Sequence, residues 1–195
     1  MNKSAIRQIY KEKRLAMTPE QVEKSSKIIA ENFIKNLLPK ISDFKNKKLA
    51  FYISAHNEVS PLYIKEYCQK LGNILCLPKI SNNSLVLEFK AYKIGDKLIS
   101  NNIYKKISEP EDHQETIIPD IVFVPLVAFD KKLNRIGMGG GFYDATIKNF
   151  KENHFKTLFI GLGYDSQECV AIDTIDHDQS LDFIVCETNV LSYKQ

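Results

Sequence analysis

The chain has 195 residues, of which 44% are hydrophobic and 26% charged, and its formal net charge is +3. These values are typical of a soluble globular protein with one well-buried core, so we expect a single domain over residues 1–195. A charge this small does not indicate a dedicated nucleic-acid surface, and no apolar run approaches the ~18 residues of a membrane span.

The first predicted element is a helix over residues 3–16. The helical period places Lys3, Arg7 and Arg14 on one face of it, at i, i+4 and i+11. Taken alone, such a face is typical of a solvated basic stripe. A second helix begins at Thr18-Pro19, which supplies an N-cap and a proline at N1, and its apolar face continues to about residue 38.

Strands and helices then alternate along the chain. Helices are expected from Ser60-Pro61 to Gly72 and from Phe142 onward. The predicted strands cover residues 49–53, 73–78, 85–92, 121–129 and 157–162. This alternation indicates an α/β fold built on a mostly parallel sheet.

Three connections between these elements bear on function or architecture. Glu58 follows the first strand, at the strand end where α/β proteins place ligands, although a lone loop glutamate is usually solvated. Asn82-Asn83 is expected to be a turn. Residues 95–119 lack periodicity and are expected to form one long connection, which in a compact domain suggests a functional loop.

Four cysteines are spread along the chain, at Cys68, Cys76, Cys169 and Cys186. They form no C-x-x-C pair and no ligand-like spacing with the histidines, so we expect reduced thiols in an intracellular protein.

The first helical turns of the chain are basic, as in a mitochondrial transit peptide. Because Glu12, Glu20 and Glu23 interrupt or follow them, and transit peptides are poor in acidic residues, a cytoplasmic protein is expected.

The most informative stretch is residues 120–149, in which a strand and a polar turn lead into R-I-G-M-G-G-G and a helix. The glycines would let backbone N–H groups approach an anion, and the helix start would add donors and positive partial charge. Arg135 would bring a planar cation, and Asp144 could hold a metal ion that accompanies phosphates. The loop is neither G-x-G-x-x-G nor a P-loop, so a tight turn with a carboxylate at a helix start is an equal alternative.

The longer string resembles the signature of the 5-formyltetrahydrofolate cyclo-ligase family, also called 5,10-methenyltetrahydrofolate synthetases. It reads PLVAFD at 125–130, R-x-G-x-G-x-G at 135–141, and then Phe142-Tyr143-Asp144. Further matches to the family lie at Lys3-x-x-x-Arg7, Glu58, Pro78-Lys79, Glu109-Pro110 and His177-Asp178. The chain departs from the pattern at Gly163, where the family usually has alanine, and at Ala171-Ile172-Asp173, where it tends to have Leu-Pro.

The resemblance covers nearly the whole chain and implies a three-layer α/β/α domain with two N-terminal helices. It also implies that ATP and Mg²⁺ are used to convert 5-formyltetrahydrofolate, with or without a polyglutamate tail, to 5,10-methenyltetrahydrofolate, ADP and phosphate. In that reaction the γ-phosphoryl group is transferred to the formyl oxygen. The side-arm nitrogen of the folate then closes the ring and expels phosphate.

The resemblance also implies roles for individual residues, with Arg135 and Tyr143 as the catalytic pair. The implied ATP contacts are Lys3, Arg7, Arg135, Ile136, Gly137, Met138, Gly139, Gly140, Gly141, Phe142 and Tyr143. The implied folate contacts are Glu58, Met138, Gly139, Gly140, Gly141 and Phe142. Asp144 and Asp182 are the implied magnesium ligands, although Asp182 could equally be a polar residue at the start of a strand.

Two other functions remain open at this point. The chain could be a non-catalytic nucleotide- or RNA-binding relative that keeps the fold, which its basic first helix permits. It could also be an ATP-dependent ligase or kinase with a different substrate. The glycine loop together with Glu58 and Asp144 favours the cyclo-ligase, so we expect a small-molecule substrate, no nucleic-acid partner and a monomer.

Overall fold

The computed structural model describes residues 2–81, 83–102, 104–105 and 107–193. Its α-helices are α1 (Lys3–Leu15), α2 (Pro19–Asn32), α3 (Leu62–Lys70) and α4 (Phe142–Glu152). Its strands are β1 (Lys48–Ala50), β2 (Ile74–Lys79), β3 (Glu88–Ala91), β4 (Ile99–Ser100), β5 (Ser108–Glu109), β6 (Ile121–Pro125), β7 (Ala128–Phe129), β8 (Arg135–Ile136), β9 (Leu158–Leu162), β10 (Phe183–Val185) and β11 (Val190–Ser192). Short helical turns cover Phe33–Leu37, Leu38–Lys40, Phe44–Asn46 and Asp165–Gln167.

Seven of the strands in the described residues form the central sheet, in the order β11-β10-β9-β6-β1-β2-β3. The five inner strands run parallel, while β3 and β11 pair antiparallel at the two edges. The chain moves outward from β1 to β2 and then returns to place β6 on the other side of β1. The strand order therefore reverses between β1 and β6, which is where open α/β sheets leave a crevice for ligands.

Helices cover both faces of this sheet, because successive strand residues point to opposite sides. Ile121 and Phe123 of β6 pack on one face with α2 and α3. Val122 and Val124 pack on the other face with Ile147 and other residues of α4. The predicted three-layer α/β architecture with a mostly parallel sheet is thus confirmed.

The two N-terminal helices also form as predicted. Asn2 caps α1 through its side chain, and Thr18 and Gln21 form a reciprocal capping box at the start of α2. The helical path continues from α2 through a π-turn, in which Phe33 and Leu37 are buried, and a 3₁₀ turn to Lys40. None of the helices in the described part of the chain is long and apolar enough to cross a membrane.

Two of the sequence predictions are wrong in detail. The apolar run over 121–129 is not one strand, because β6 ends at Pro125 and β7 pairs antiparallel with β8 in a separate hairpin. Asp130 holds the hairpin turn by accepting hydrogen bonds from the N–H groups of Lys132 and Asn134. The region 95–119 is likewise not an unstructured connection, since β4 and β5 pair within it.

Other boundaries shift by a few residues or were not anticipated. The strands predicted at 49–53 and 85–92 are shorter than expected, and the edge strand β11 was not predicted. The turn predicted at Asn82-Asn83 lies partly outside the described residues, because Asn82 is not among them.

Candidate active site

A cleft of about 650 Å³ opens at the carboxyl ends of β1 and β6, where the strand order reverses. One wall is the segment after β1, from Tyr52 to Glu58. The opposite wall is the glycine segment 137–141 and the start of α4. Lys3 and Arg7 of α1 line the cleft, together with His177 and Asp178 of the segment before β10.

The glycine segment lines this cleft with backbone and almost no side chain. Gly139 and Gly141 have positive φ values of 101° and 74°, which L side chains rarely adopt. The first N–H groups of α4, like those of any α-helix, have no intrahelical partner, and its N-cap residue Gly141 has no side chain to accept from them. The Nε of Arg7 donates to the carbonyl of Gly137 at 2.8 Å, which places a cation beside these donors.

Arg135 and Asp144 form an ion pair at the inner end of the glycine segment. The Nη2 of Arg135 lies 3.1 Å from Oδ1 of Asp144, and the arginine side chain is only 4% exposed. Oδ1 of Asp144 also accepts the N–H of Gln179 at 3.0 Å. Burial lowers the pKa of the Arg135 guanidinium, and the neighbouring Asp144 carboxylate opposes that shift.

A second ion pair joins Lys3 of α1 to Asp178 across the cleft. Oδ2 of Asp178 also accepts the N–H of Ile175 at 2.7 Å. Partial burial alone would raise the pKa of Asp178, but the Lys3 ammonium and this N–H hold it below its usual value. The segment 175–179 is therefore tied to the cleft through both ion pairs.

Glu58 lies on the facing wall and is 9% exposed. Its Oε2 accepts the N–H of Ala55 at 3.1 Å, and its Oε1 lies 3.5 Å from Nη1 of Arg14. Burial raises the pKa of Glu58, while Arg14 acts in the opposite direction. The loop that carries Glu58 holds His56 and Asn57 in the left-handed region, at φ 52° and 59°.

Aromatic and apolar side chains complete the cleft. Tyr143 lines it, and burial together with the charge of Glu58 raises the pKa of its phenol. Phe142 packs edge-on against Tyr104, with ring centroids 5.8 Å apart. Met138 is 45% exposed, whereas the side chain of Ile136 belongs to a small core cluster with Ile6 and can reach a ligand only through its backbone.

The structure does not bring Asp182 to this cleft. Asp182 precedes β10, where its Oδ2 accepts the N–H of Phe159 at 2.7 Å and its own N–H donates to the carbonyl of Phe159. This is the amino-terminal edge of the parallel strands, opposite the edge at which the cleft lies. The alternative of a polar residue at a strand start fits this position, and the metal-ligand interpretation does not.

Two other matched pairs contact each other beside the cleft. Lys79 forms an ion pair with the buried Glu109 at 3.0 Å and donates to the carbonyl of Pro110 at 3.2 Å. Glu109 also accepts hydrogen bonds from the N–H of Ile80 and the amide of Asn101. This network fixes the β4–β5 pair against the end of β2.

The model of the 5-formyltetrahydrofolate cyclo-ligase family matches residues 1–187. The chain belongs to this family. The predicted family and its enzyme class, a ligase, are thereby confirmed.

The chain is also similar to individual family members over most of their length. The chain is 29% identical over 187 residues to the 5-formyltetrahydrofolate cyclo-ligase of Escherichia coli K12, covering 93% of this chain and 98% of that protein. It is 42% identical over 168 residues to that of Saccharomyces cerevisiae, covering 75% and 78%. The solved structure of Aquifex aeolicus 5,10-methenyltetrahydrofolate synthetase superposes with a TM-score of 0.80 at 27% identity, covering 100% of this chain and 94% of that one.

One departure from the family pattern is explained by the local packing of this chain. A Cβ on Gly163 would lie 2.9 Å from Cδ1 of Leu126 and 3.0 Å from the ring of Phe129. The glycine therefore leaves room for these two buried side chains at the end of β9. We have no physical account of the second departure, at Ala171-Ile172-Asp173.

Sequence reasoning did not assign Arg14 to the site. Its Nη1 donates to the carbonyl of Leu126 at 3.1 Å and faces Glu58, and its side chain is fully buried. The only signal was its place on the same helix face as Lys3 and Arg7, which fits a solvated stripe equally well. Its burial depends on how α1 docks against the cleft wall.

Proposed function

We propose that this chain catalyses the ATP-dependent conversion of 5-formyltetrahydrofolate to 5,10-methenyltetrahydrofolate, with release of ADP and phosphate. One observation carries the proposal. Cations and free helix N–H groups lie on one side of a single cleft, and a buried carboxylate lies on the other. The first set suits a polyphosphate, and the carboxylate suits the N–H donors of a folate ring system.

The phosphate side is formed by Lys3 and Arg7 of α1, Arg135 of β8 and the start of α4. Phosphoryl transfer depends mainly on positioning and on neutralising the charge of the transferred group. Lys3 already contacts Asp178, and Arg135 already contacts Asp144. On our proposal, the phosphate oxygens become additional partners of both cations, and the N–H groups of 139–143 cradle the chain of phosphates.

The residues present also fit a magnesium ion. Mg²⁺ is usually held by one or two carboxylates plus substrate phosphates, with water in the remaining positions. Asp144 stands at the start of α4 beside the glycine segment and is about one third exposed, so it can offer a carboxylate oxygen there. When bound, the ion would supply positive charge to the phosphate oxygens.

The folate side is formed by Glu58 and the apolar surface around it. Glu58 would accept hydrogen bonds from the polar edge of the folate ring, with the neighbouring Ala55 N–H fixing the carboxylate. Phe142 and Tyr143 would pack against the bound ligands where the two sides meet. In this arrangement the formyl group lies near the γ-phosphate.

The proposed reaction then proceeds in two steps. The formyl oxygen attacks the γ-phosphorus, the bond to the β-phosphate oxygen breaks, and ADP leaves. The side-arm nitrogen next attacks the activated carbon, the carbon–oxygen bond breaks with loss of phosphate, and the nitrogen gives up its proton. Arg135 stabilises charge during the first step. The Tyr143 phenol is protonated at neutral pH and burial raises its pKa further, so it is available as a hydrogen-bond donor.

The deciding experiment is absorbance-monitored turnover of 5-formyltetrahydrofolate with ATP and Mg²⁺. We expect the near-ultraviolet band of the methenyl product to rise, and to stay flat when ATP is omitted. A flat trace from folded, ATP-binding protein would contradict the proposal. RNA affinity that falls steeply with salt would then favour the non-catalytic alternative.

A further inference from the structure

Arg14 is 2% exposed, the lowest value of any lysine or arginine that the structure describes. Its neighbour Lys13, one residue before it on α1, is exposed. Removing a guanidinium from water is costly unless charged and hydrogen-bonding groups replace the water. The groups around Arg14 therefore indicate why this helix places a cation inside the protein.

Those groups come from three separate segments of the cleft wall. The Nη1 of Arg14 donates to the carbonyl of Leu126, just after β6, at 3.1 Å, and lies 3.5 Å from Oε1 of Glu58. Its Nη2 lies 3.9 Å from the sulfur of Met138 in the glycine segment. Its Nε is buried and has no hydrogen-bond partner in the described part of the chain. Arg14 thus contacts the wall from behind, while the same three residues line the cleft in front.

The carboxylate of Glu58 is constrained by two contacts on different oxygens. Oε2 accepts the N–H of Ala55, and Oε1 faces the guanidinium of Arg14. An ionised carboxylate only accepts hydrogen bonds, whereas a protonated one also donates. A ligand that offers only N–H donors is therefore matched better by the ionised form, in which both oxygens accept, and Arg14 favours that form against the effect of burial.

We infer that Arg14 is a positioning residue for folate recognition, which holds Glu58 as an oriented carboxylate that only accepts hydrogen bonds. The inference rests on the proposed function, in which Glu58 binds the folate ring. Because Arg14 shares α1 with Lys3 and Arg7, one helix then provides cations to the phosphate side of the cleft and orients the carboxylate on the folate side. Arg14 acts on the substrate through Glu58 and not by touching it.

The coupling between Arg14 and Glu58 can be measured without any ligand. The pKa of Glu58 is raised in the folded protein, so the folded state binds more protons above the ordinary value of 4.5. The contribution of Glu58 to the free energy of unfolding therefore falls as pH rises from 4.5 through the pKa that Glu58 has in the folded protein. Tyr52, Tyr143 and Tyr164 also interact with Glu58, but burial raises the pKa of each phenol and none titrates there.

Arg14→Met should extend this fall in stability to higher pH, since it removes an interaction that lowers the pKa of Glu58. In a Glu58→Gln background the same substitution should leave the pH dependence unchanged. Urea unfolding at a series of pH values measures both effects. An identical profile for Arg14→Met and wild type would overturn the coupling.

The kinetic test is a double-mutant cycle on the KM for 5-formyltetrahydrofolate. Arg14→Met should raise this KM about tenfold, as expected for a weakened hydrogen bond to a charged group, with little change in the KM for ATP. In the Glu58→Gln background it should add almost nothing, because residues that act as one unit are not additive. Arg14→Lys, which keeps the charge, should restore part of the affinity.

Lys13→Met is the matched control, because it removes a positive charge from an exposed position of the same helix. It should leave both KM values unchanged.

If Arg14→Met does not fold, two other variants are measured in its place. They are Arg14→Lys and the Arg14→Met/Glu58→Gln double variant, which leaves no unpaired charge. Additive effects of the two substitutions on the folate KM would overturn the inference while the function stands. A wild-type protein without turnover would instead contradict the function, and the unfolding experiment would still decide the coupling.

Discussion

At the scale of single residues, Arg135 is fixed by two contacts at the cleft, and its proposed role can be tested by substitution. Its guanidinium contacts Asp144 and the carbonyl of Gln179, and it is almost fully buried at the edge of the cleft. Arg135→Ala should lower kcat about 100-fold or more, because it removes charge stabilisation from phosphoryl transfer. The kcat of Arg135→Lys should lie between those of the wild type and Arg135→Ala, because a lysine keeps the charge but not the planar guanidinium.

The control for Arg135 is Lys131→Ala in the same hairpin. Lys131 is 80% exposed and its ion pair with Glu168 spans 3.8 Å, so it should affect neither turnover nor stability measurably. Circular dichroism and a thermal melt establish whether each variant is folded. Full turnover by folded Arg135→Ala would remove this residue from the mechanism.

Whether a residue could be placed from sequence depended on where its partners lie. Asp144 lies three residues after Gly141, so a local motif sufficed to put it beside the cleft. Asp182 has its partner in Phe159, a neighbour only after β9 and β10 pair, and no local pattern separates that arrangement from a metal ligand. Arg14 was ambiguous for the same reason, because its partners are more than forty residues away.

At the scale of elements, the loop after β1 does more than present Glu58, because it also caps α1. The side-chain amide of Asn57 donates to the carbonyls of Arg14, Leu15 and Met17. Asn57 has a positive φ, which asparagine tolerates better than most residues. Asn57→Gly should therefore lower the free energy of unfolding by about 1–2 kcal/mol through lost hydrogen bonds. Asn57→Ala should cost ~1 kcal/mol more through backbone strain.

His56 offers the comparison for this loop. It has the same left-handed backbone, but no hydrogen bond of its side chain is found in the described residues. His56→Gly should leave the free energy of unfolding unchanged or raise it by up to ~1 kcal/mol, since it relieves strain and loses no bond. Urea denaturation measures all three variants. Asn57→Gly with wild-type stability would mean that the loop does not hold α1.

Elements with strong periodicity or complete caps were predictable, and short paired strands were not. The Thr18 capping box and the apolar face of α2 depend on residues that are close together in the sequence. The hairpin of β7 and β8 has only two residues in each strand, and its turn depends on Asp130. The β4–β5 pair depends on Glu109, whose partners come from β2 and the loops around it. Such elements are stabilised by tertiary contacts more than by propensity.

At the scale of the whole molecule, the two hydrophobic clusters share one sheet, and we propose that they unfold together. The first lies between the sheet and the helices α2 and α3, and the second lies between the sheet and α4. Each inner strand contributes alternate residues to both clusters, as Ile121 and Val122 do. Loss of either cluster would expose one face of the same strands, so a state with only one cluster formed should not accumulate.

The absence of tryptophan from the sequence makes this cooperativity directly measurable. Tyr67→Trp places a reporter beside the first cluster, and Phe155→Trp places one beside the second, where Phe155 contacts Phe150. Both positions are at least partly exposed, so neither substitution should overpack the core. In each variant, tryptophan fluorescence and far-ultraviolet circular dichroism should give one urea midpoint. Different urea midpoints for the tryptophans at 67 and 155, or for fluorescence and circular dichroism in one variant, would show that the two faces of the sheet unfold independently. The chain would then contain two folding units.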